Sequence, residues 1–249
     1  MASNTLIEVC VDSVASAEAA QRGGASRVEL CSDLSEGGIT PSNGLIALAR
    51  ERTTIGLHVM IRPRPGDFCY DDAEFEVMRR DIVNVKRLGA DGVVFGILNL
   101  EGEVDVERTR QLVTLARPMR VTFHRAFDMT ADLFRALEDV CLAGADRILT
   151  SGGEATSVAG YDTIARLVSA ANGRVIIMPG SGINQHNAAD LVRKTGAREI
   201  HVGLRTSVES PMRHQNSQIK MGSSPAGEYV RFRVLEENVR NLAEAISRI

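Results

Sequence analysis

Short runs of alternating apolar and polar residues recur along the chain, and each is followed by a longer amphipathic stretch. The runs LIEVCV, RVELC, GLHVMIR, GVVFGI, RVTFHR, RILTS, RVIIMPG and EIHVG are rich in Val and Ile and predict β-strands. Between them, SVASAEAAQRGG, SNGLIALARER, DDAEFEVMRRDIVNVKRLGA, DVERTRQLVTLA, ADLFRALEDVCLAGA and NAADLVRKTGA collect their apolar residues on one helical face. Several stop at Gly-Ala just before the next strand, as in RGGAS, RLGAD, LAGAD and KTGAR, which is a repeated helix stop. Eight such strands in 249 residues leave about 31 residues per unit, the size of a βα repeat. No Pro, Ser or Gly-rich linker divides the chain, so residues 1–249 read as a single α/β domain, a (β/α)8 TIM-type barrel. A doubly wound open sheet is the alternative, but it usually places a Gly-rich turn after the first strand, where this chain has CVDSVAS. Beyond the eighth strand, residues 207–224 read as a long loop and EYVRFRVLEENVRNLAEAISRI as a closing C-terminal helix.

Strand parity then raises a chemical question. Residues at i and i+2 share one face of a strand, and barrel strands turn alternate residues inward. If Ile7, Val9 and Val11 face the helices, Glu8 and Cys10 face in. The same parity sends in Glu29 and Cys31, then His58, Met60 and Arg62, then Thr122 and His124, then Glu199 and His201. A packed barrel would fill most of these positions with Val, Ile and Leu. Buried unpaired carboxylates cost several kcal/mol, so Glu8 and Glu29 are expected to meet Arg62, a histidine or a ligand. The pattern predicts a polar pocket at the strand C-terminal ends.

Composition narrows the partners. The chain is 44% hydrophobic and 24% charged with net charge −3, an ordinary globular balance. Its scattered basic residues do not suit nucleic acid or an anionic membrane, no apolar run reaches the ~18 residues of a membrane helix, and MASNTLIEV lacks the features of a signal peptide. Four cysteines, Cys10, Cys31, Cys69 and Cys141, stand far apart without a CxxC. That spacing suits reduced thiols in a cytoplasmic protein.

The strand-end loops carry candidate chemistry. Gly180, Ser181 and Gly182 follow strand seven ahead of a helix, where barrel proteins commonly hold phosphate. Ser151 and Gly152 after strand six and Gly203 and Arg205 after strand eight would flank that site, with His58, Arg62 and His201 as further contacts for an anion. The plainer reading is three tight turns. HRAFDM places His124, Arg125 and Asp128 at the rim, and with Glu8 and Glu29 they form an acid/base set. Here the plainer reading is an Arg125 to Asp128 ion pair pinning the loop. Cys10, Cys31, Met60 and the histidines offer soft donors for Cu(I). Inward residues of neighbouring strands fall in different layers, so the two sulfurs need not be level, and two Cys can also be apolar filler.

The motifs EVCVDS, GASRVELC, SEGGITPS, IRPRPGDFCY, VTFHRAFDM, RILTSGG, IIMPGSGI and SPMRHQNSQIKMG, taken in order, resemble the CutC copper homeostasis family over nearly the whole chain. Pro65 stands where the family usually has Gly, and Gln215 where it usually has Arg. The resemblance implies a TIM-type barrel, a cytosolic homo-oligomer and a role in copper handling, with Cu(I) bound by the two cysteines that fall on Cys10 and Cys31. Two readings leave the sequence. One is a Cu(I)-binding protein; the other is an enzyme acting on a small phosphorylated or carboxylated metabolite.

Overall fold

Residues 5–216, 218, 219, 221 and 227–247 are described by a computed structural model. The eight expected strands are present: β1 (Leu6–Val11), β2 (Arg27–Leu30), β3 (Gly56–Met60), β4 (Gly92–Phe95), β5 (Arg120–Phe123), β6 (Arg147–Thr150), β7 (Ile176–Pro179) and β8 (Glu199–Val202). They form one parallel sheet in the order β7-β6-β5-β4-β3-β2-β1-β8. A further bridge between Gly180 and His201 joins its two ends, so the sheet closes as a TIM-type α/β barrel.

The helices wrap the outside: α1 (Val14–Arg22), α2 (Asn43–Arg52), α3 (Asp72–Arg87), α4 (Val106–Ala116), α5 (Leu133–Ala143), α6 (Tyr161–Ala171) and α7 (Ala188–Thr195). Side chains at their starts satisfy N–H groups that have no partner within the helix. Ser13, Ser42, Asp105 and Asp132 cap α1, α2, α4 and α5, and Asp71 with Glu74 forms a capping box on α3. The Gly-Ala stops act as read from the sequence: Gly144 and Gly196 take positive φ directly after α5 and α7.

Most of the core lies between strands and helices. Ile7, Val9, Val28, Leu57, Val59, Val121, Phe123 and Ile200 face outward from the barrel onto Ala17, Ala20, Ile46, Met78 and Ile82 among others. Each large apolar side chain buried there contributes about 1.5–3 kcal/mol. A separate small cluster inside the barrel comprises Cys10, Cys31, Met60 and Val94. Among the described residues no helix is long and apolar enough to cross a membrane.

The segment after β8 differs from the expected loop and long helix. Arg205–Glu209 forms β9 and Val230–Val234 forms β10, paired antiparallel from Arg205↔Val234 to Glu209↔Val230. The reason is period two: Val230, Phe232 and Val234 alternate with Arg231 and Arg233, which a helix would scatter around its surface. The closing helix α8 is therefore shorter, Glu236–Ser247, and packs Val239, Leu242 and Ile246 against the barrel. Of the loop expected over residues 207–224 and the helix expected to run to the C-terminus, residues 217, 220, 222–224, 248 and 249 lie outside the described residues.

Candidate functional site

The barrel interior is built in tiers. At its floor Arg27 binds Glu8 through Nε and Glu199 through Nη2 at 2.6 Å. Arg147 clamps the same Glu199 with two donors at 2.6 and 3.1 Å. All four side chains are buried. Two guanidinium groups facing two carboxylates keep the charges paired, which a buried ion pair requires. His58 stands beside Glu8, with Nδ1 3.7 Å from Oε2. Burial depresses its pKa to about 4, outweighing the pull of Glu8, so its ring is neutral. Gly92 on β4 leaves room for that ring, since a Cβ there would lie 2.5 Å from it.

One tier higher, His201 donates from Nδ1 to Glu8 Oε1 at 2.8 Å and turns Nε2 toward Glu29, 3.8 Å from Oε2. Burial alone would raise the Glu8 pKa, but Arg27, then His201 and His58, hold its carboxyl far below the usual range. His201 is pushed the other way: burial disfavours its charge, yet Glu29, Cys10 and Glu8 raise its pKa well above the ordinary value. Glu29 is buried with Oε1 unpartnered, and burial, followed by the charge of Cys10, raises its pKa.

Cys10 and Cys31 share this tier, with Sγ to Sγ 3.9 Å. In strand register Cys10 pairs with Glu29 rather than Cys31, so the two thiols come from different layers and meet by leaning toward one another. The hydrogen bond from Cys31 lowers the pKa of Cys10 to about 5 against its burial, with help from His201, while that same bond and burial raise Cys31. Cys31 Sγ also lies 3.6 Å from Glu29 Oε2, to which it can donate. Cys31 is fully buried under Gly38, whose φ of +88° lets the backbone cross the sulfur; a Cβ there would lie 3.2 Å from Sγ. Cys10 is 8% exposed and lines a cavity.

That cavity, of about 300 Å³, opens at the strand C-terminal ends and is walled by Cys10, Glu29, Met60, His124, Leu149 and His201, with Phe68 and Arg125 toward the rim. Arg62 is also in its wall, but not as the expected partner of Glu8, Glu29 or an anion. Its guanidinium donates to the carbonyls of Glu36, Gly38 and Gly66, which ties together two loops that roof the barrel. His124 fits because Gly96, directly after β4, stands opposite, where a Cβ would lie 2.6 Å from Nδ1. Its Nδ1 accepts the Ala126 N–H at 3.2 Å, which assigns the ring proton to Nε2, and Nε2 is buried without a partner. Burial, then Arg62, pushes the His124 pKa down to about 3, so the imidazole is neutral.

The loops expected to hold an anion are bonded within the fold to different degrees. Asp128 places its carboxylate at the end of β6, accepting from the Ser151 N–H at 3.0 Å, the Gly153 N–H at 3.1 Å, Thr150 Oγ1 and Arg125 Nε at 2.8 Å. Arg125 also donates to Ser151 Oγ at 2.8 Å. The chain's own carboxylate fills the cradle in the TSGG turn, and the Gly152 N–H is taken by Thr150 Oγ1 at 2.8 Å. After β7, Ser157 binds the carbonyls of Gly180 and Ser181, and Asn187 binds that of Gly182 at 2.9 Å. Helix α7 begins only at Ala188, so its N-terminus does not follow directly on Gly182. Gly203 precedes the hairpin, and Arg205 stacks on Phe232 at 5.5 Å within it. Gly152, Gly180, Ser181, Gly182, Gly203 and Arg205 do not line the cavity.

The structure therefore gathers Cys10, Glu29, Arg62, His124, Arg125, Asp128 and His201 around one cavity, with Glu8, Cys31 and His58 beside or below it. Arg27 and Arg147 were not singled out in the sequence. Arg27 shares the parity of Glu29 and Cys31, and that was the available signal.

Comparison with known proteins agrees with this architecture. The chain is 48% identical over 243 residues to a family protein CutC from Chromobacterium violaceum, covering 98% of each chain. It is 48% identical over 223 residues to the human copper homeostasis protein cutC homolog, covering 90% of this chain and 82% of the human one. The crystal structure of CutC from Streptococcus agalactiae superposes with a TM-score of 0.75 at 33% identity, covering 80% of this chain and 98% of that one. The CutC family model matches residues 5–206, and with the barrel and its motifs in register the chain belongs to the CutC family.

Proposed function

We propose that this chain takes part in copper homeostasis in the cytosol by taking up Cu(I) on Cys10 and Cys31. The observation that carries this reading is the 3.9 Å approach of the two sulfurs beside a cavity that reaches Cys10. Two thiolates suit a soft monovalent cation, and metal–sulfur bonds of ~2.3 Å can span that gap. Met60 and Val94 pack around the pair. The naming of the human relative as a copper homeostasis protein supports the same direction. The enzyme reading has less behind it. Asp128 is engaged by five donors, the Ser151 hydroxyl among them, and His124 is a neutral ring whose Nδ1 is already bonded to Ala126, so neither is a free acid or base.

Competition against a chromophoric Cu(I) chelator tests the proposal. Cys10→Ser and Cys31→Ser should each lower Cu(I) affinity at least 100-fold. A double variant that keeps wild-type affinity would remove the barrel interior as the site.

A further inference from the structure

The two sulfurs are not the only donors converging on the cavity. The ligand atoms of Cys10, Cys31 and Glu29 all lie within 4.8 Å of one another, and so do those of Glu8, Glu29 and His201. Glu8 is already paired with Arg27 and with His201 Nδ1, which leaves Glu29 and His201 Nε2 as the available nitrogen and oxygen donors. Glu29 is 2% exposed and its Oε1 has no partner, a costly state for a carboxyl unless something binds there. His201 Nε2 lies 3.8 Å from Glu29 Oε2.

We propose that Cys10, Cys31, Glu29 and His201 form a four-donor site for a divalent cation of the zinc class, with Glu8 positioning His201. Metal-binding histidines characteristically donate their second ring N–H to a carboxylate, which fixes the tautomer and aims the other nitrogen at the ion. The 2.8 Å bond from His201 Nδ1 to Glu8 has that arrangement. The sulfur spacing agrees. With bonds of ~2.3 Å, a 3.9 Å separation makes the sulfur–metal–sulfur angle about 115°. A purely linear two-sulfur complex needs the sulfurs farther apart; an angle near tetrahedral leaves room for Glu29 and His201. Two thiolates, an imidazole and a carboxylate are a borderline set that suits Zn(II), whereas a carboxylate adds little for Cu(I). Glu29 and His201 are thus what would let one pocket discriminate between a soft monovalent and a borderline divalent cation.

This inference rests on the same thiol pair as the copper reading but not on copper, and its test separates the two. The reduced, chelator-stripped protein is titrated with Co(II) as a spectroscopic probe of the zinc site. One equivalent should give a sulfur-to-cobalt charge-transfer band in the near ultraviolet and strong visible bands of tetrahedral cobalt, both abolished by Zn(II). Glu29→Gln should lower Zn(II) affinity at least 100-fold while Cu(I) affinity changes less than about threefold, His201→Gln should lower Zn(II) affinity at least 100-fold and by more than Cu(I) affinity, and Glu8→Gln should cost 10–100-fold in Zn(II) affinity. Weak octahedral cobalt bands without charge transfer would overturn the proposal, as would Glu29→Gln binding Zn(II) like the wild type. The wild-type spectrum decides even where a variant fails to fold. Loss of Cu(I) binding with an intact cobalt spectrum would defeat the copper reading alone, and the reverse pair of results would defeat this one alone.

Discussion

Cys10 and Cys31 bring their sulfurs to 3.9 Å although their strands pair Cys10 with Glu29, two residues short of Cys31. Adjacent strands lie ~4.8 Å apart and each residue advances ~3.3 Å, so the two Cα atoms are about 8 Å apart along the diagonal. A disulfide seldom spans more than about 7 Å between Cα atoms without moving backbone. The spacing therefore disfavours a disulfide between them. Native protein incubated with oxidised glutathione should form no Cys10–Cys31 bridge, as read by mass spectrometry after alkylation in denaturant. Rapid, complete bridging would show that the strands are not held in this register.

The barrel floor makes a stability prediction. Arg27 links Glu8 on β1 to Glu199 on β8, and both carboxylates are buried. Arg27→Met leaves Glu199 with Arg147 and Glu8 with only histidines beside it. Breaking one member of a buried charge network costs about 3–5 kcal/mol. For a chain of this size that lowers the melting temperature by about 10 °C. A shift under 2 °C in a thermal melt would mean that the network is neutral in balance.

How much of this was legible in the sequence depends on the range of the signal. The inward parity of Glu8, Cys10, Glu29, Cys31, His58, His124 and His201 was readable because a strand alternates over neighbouring residues. The hairpin strand Val230–Val234 carries the same alternation but runs into α8 with no Gly or Pro between them, so one helix appeared to cover both. Arg62 reads as a pocket cation; two of its three carbonyl partners, Glu36 and Gly38, belong to a loop more than twenty residues away, and no local pattern announces them. Asp128 and the TSGG turn are likewise 22 and more residues apart, so a glycine turn that could cradle an anion could not reveal that it already does.

His124 should make the fold sensitive to acid. Its pKa is about 3 when folded and 6.5 ordinarily, because burial and Arg62 disfavour its charge. The unfolded chain then binds the extra proton between those two values, so this contribution is complete above pH 6.5 and is lost as pH falls toward 3. The slope is about 1.4 kcal/mol per pH unit for one such group. His124→Gln, which can still accept the Ala126 N–H, should flatten stability against pH between 4 and 6 by about that amount. Urea titrations at three pH values give the slopes, and parallel curves for the two proteins would refute the assignment of a neutral ring.

Asp128 supplies the last prediction, because it fills the donors of the turn after β6, which flanks the place that barrels commonly give to phosphate. Its carboxylate accepts from the Ser151 and Gly153 N–H groups, Thr150 Oγ1 and Arg125. Bonds to a charged acceptor contribute about 1.5–3 kcal/mol each in favourable cases and are not additive, so Asp128→Ala should cost about 3 kcal/mol. The same change leaves two N–H groups, a hydroxyl and a guanidinium aimed at one vacant point. Phosphate should then stabilise Asp128→Ala by linkage, on the order of 1 kcal/mol at a few times Kd beyond any gain in the wild type. Sulfate and phosphate also stabilise folded proteins by exclusion from their surface, so the comparison is between variant and wild type at equal ionic strength. A gain confined to the variant would show that the TSGG turn is an anion cradle filled from within. Equal gains in both proteins would mean that the donors need Asp128 itself to hold them in place.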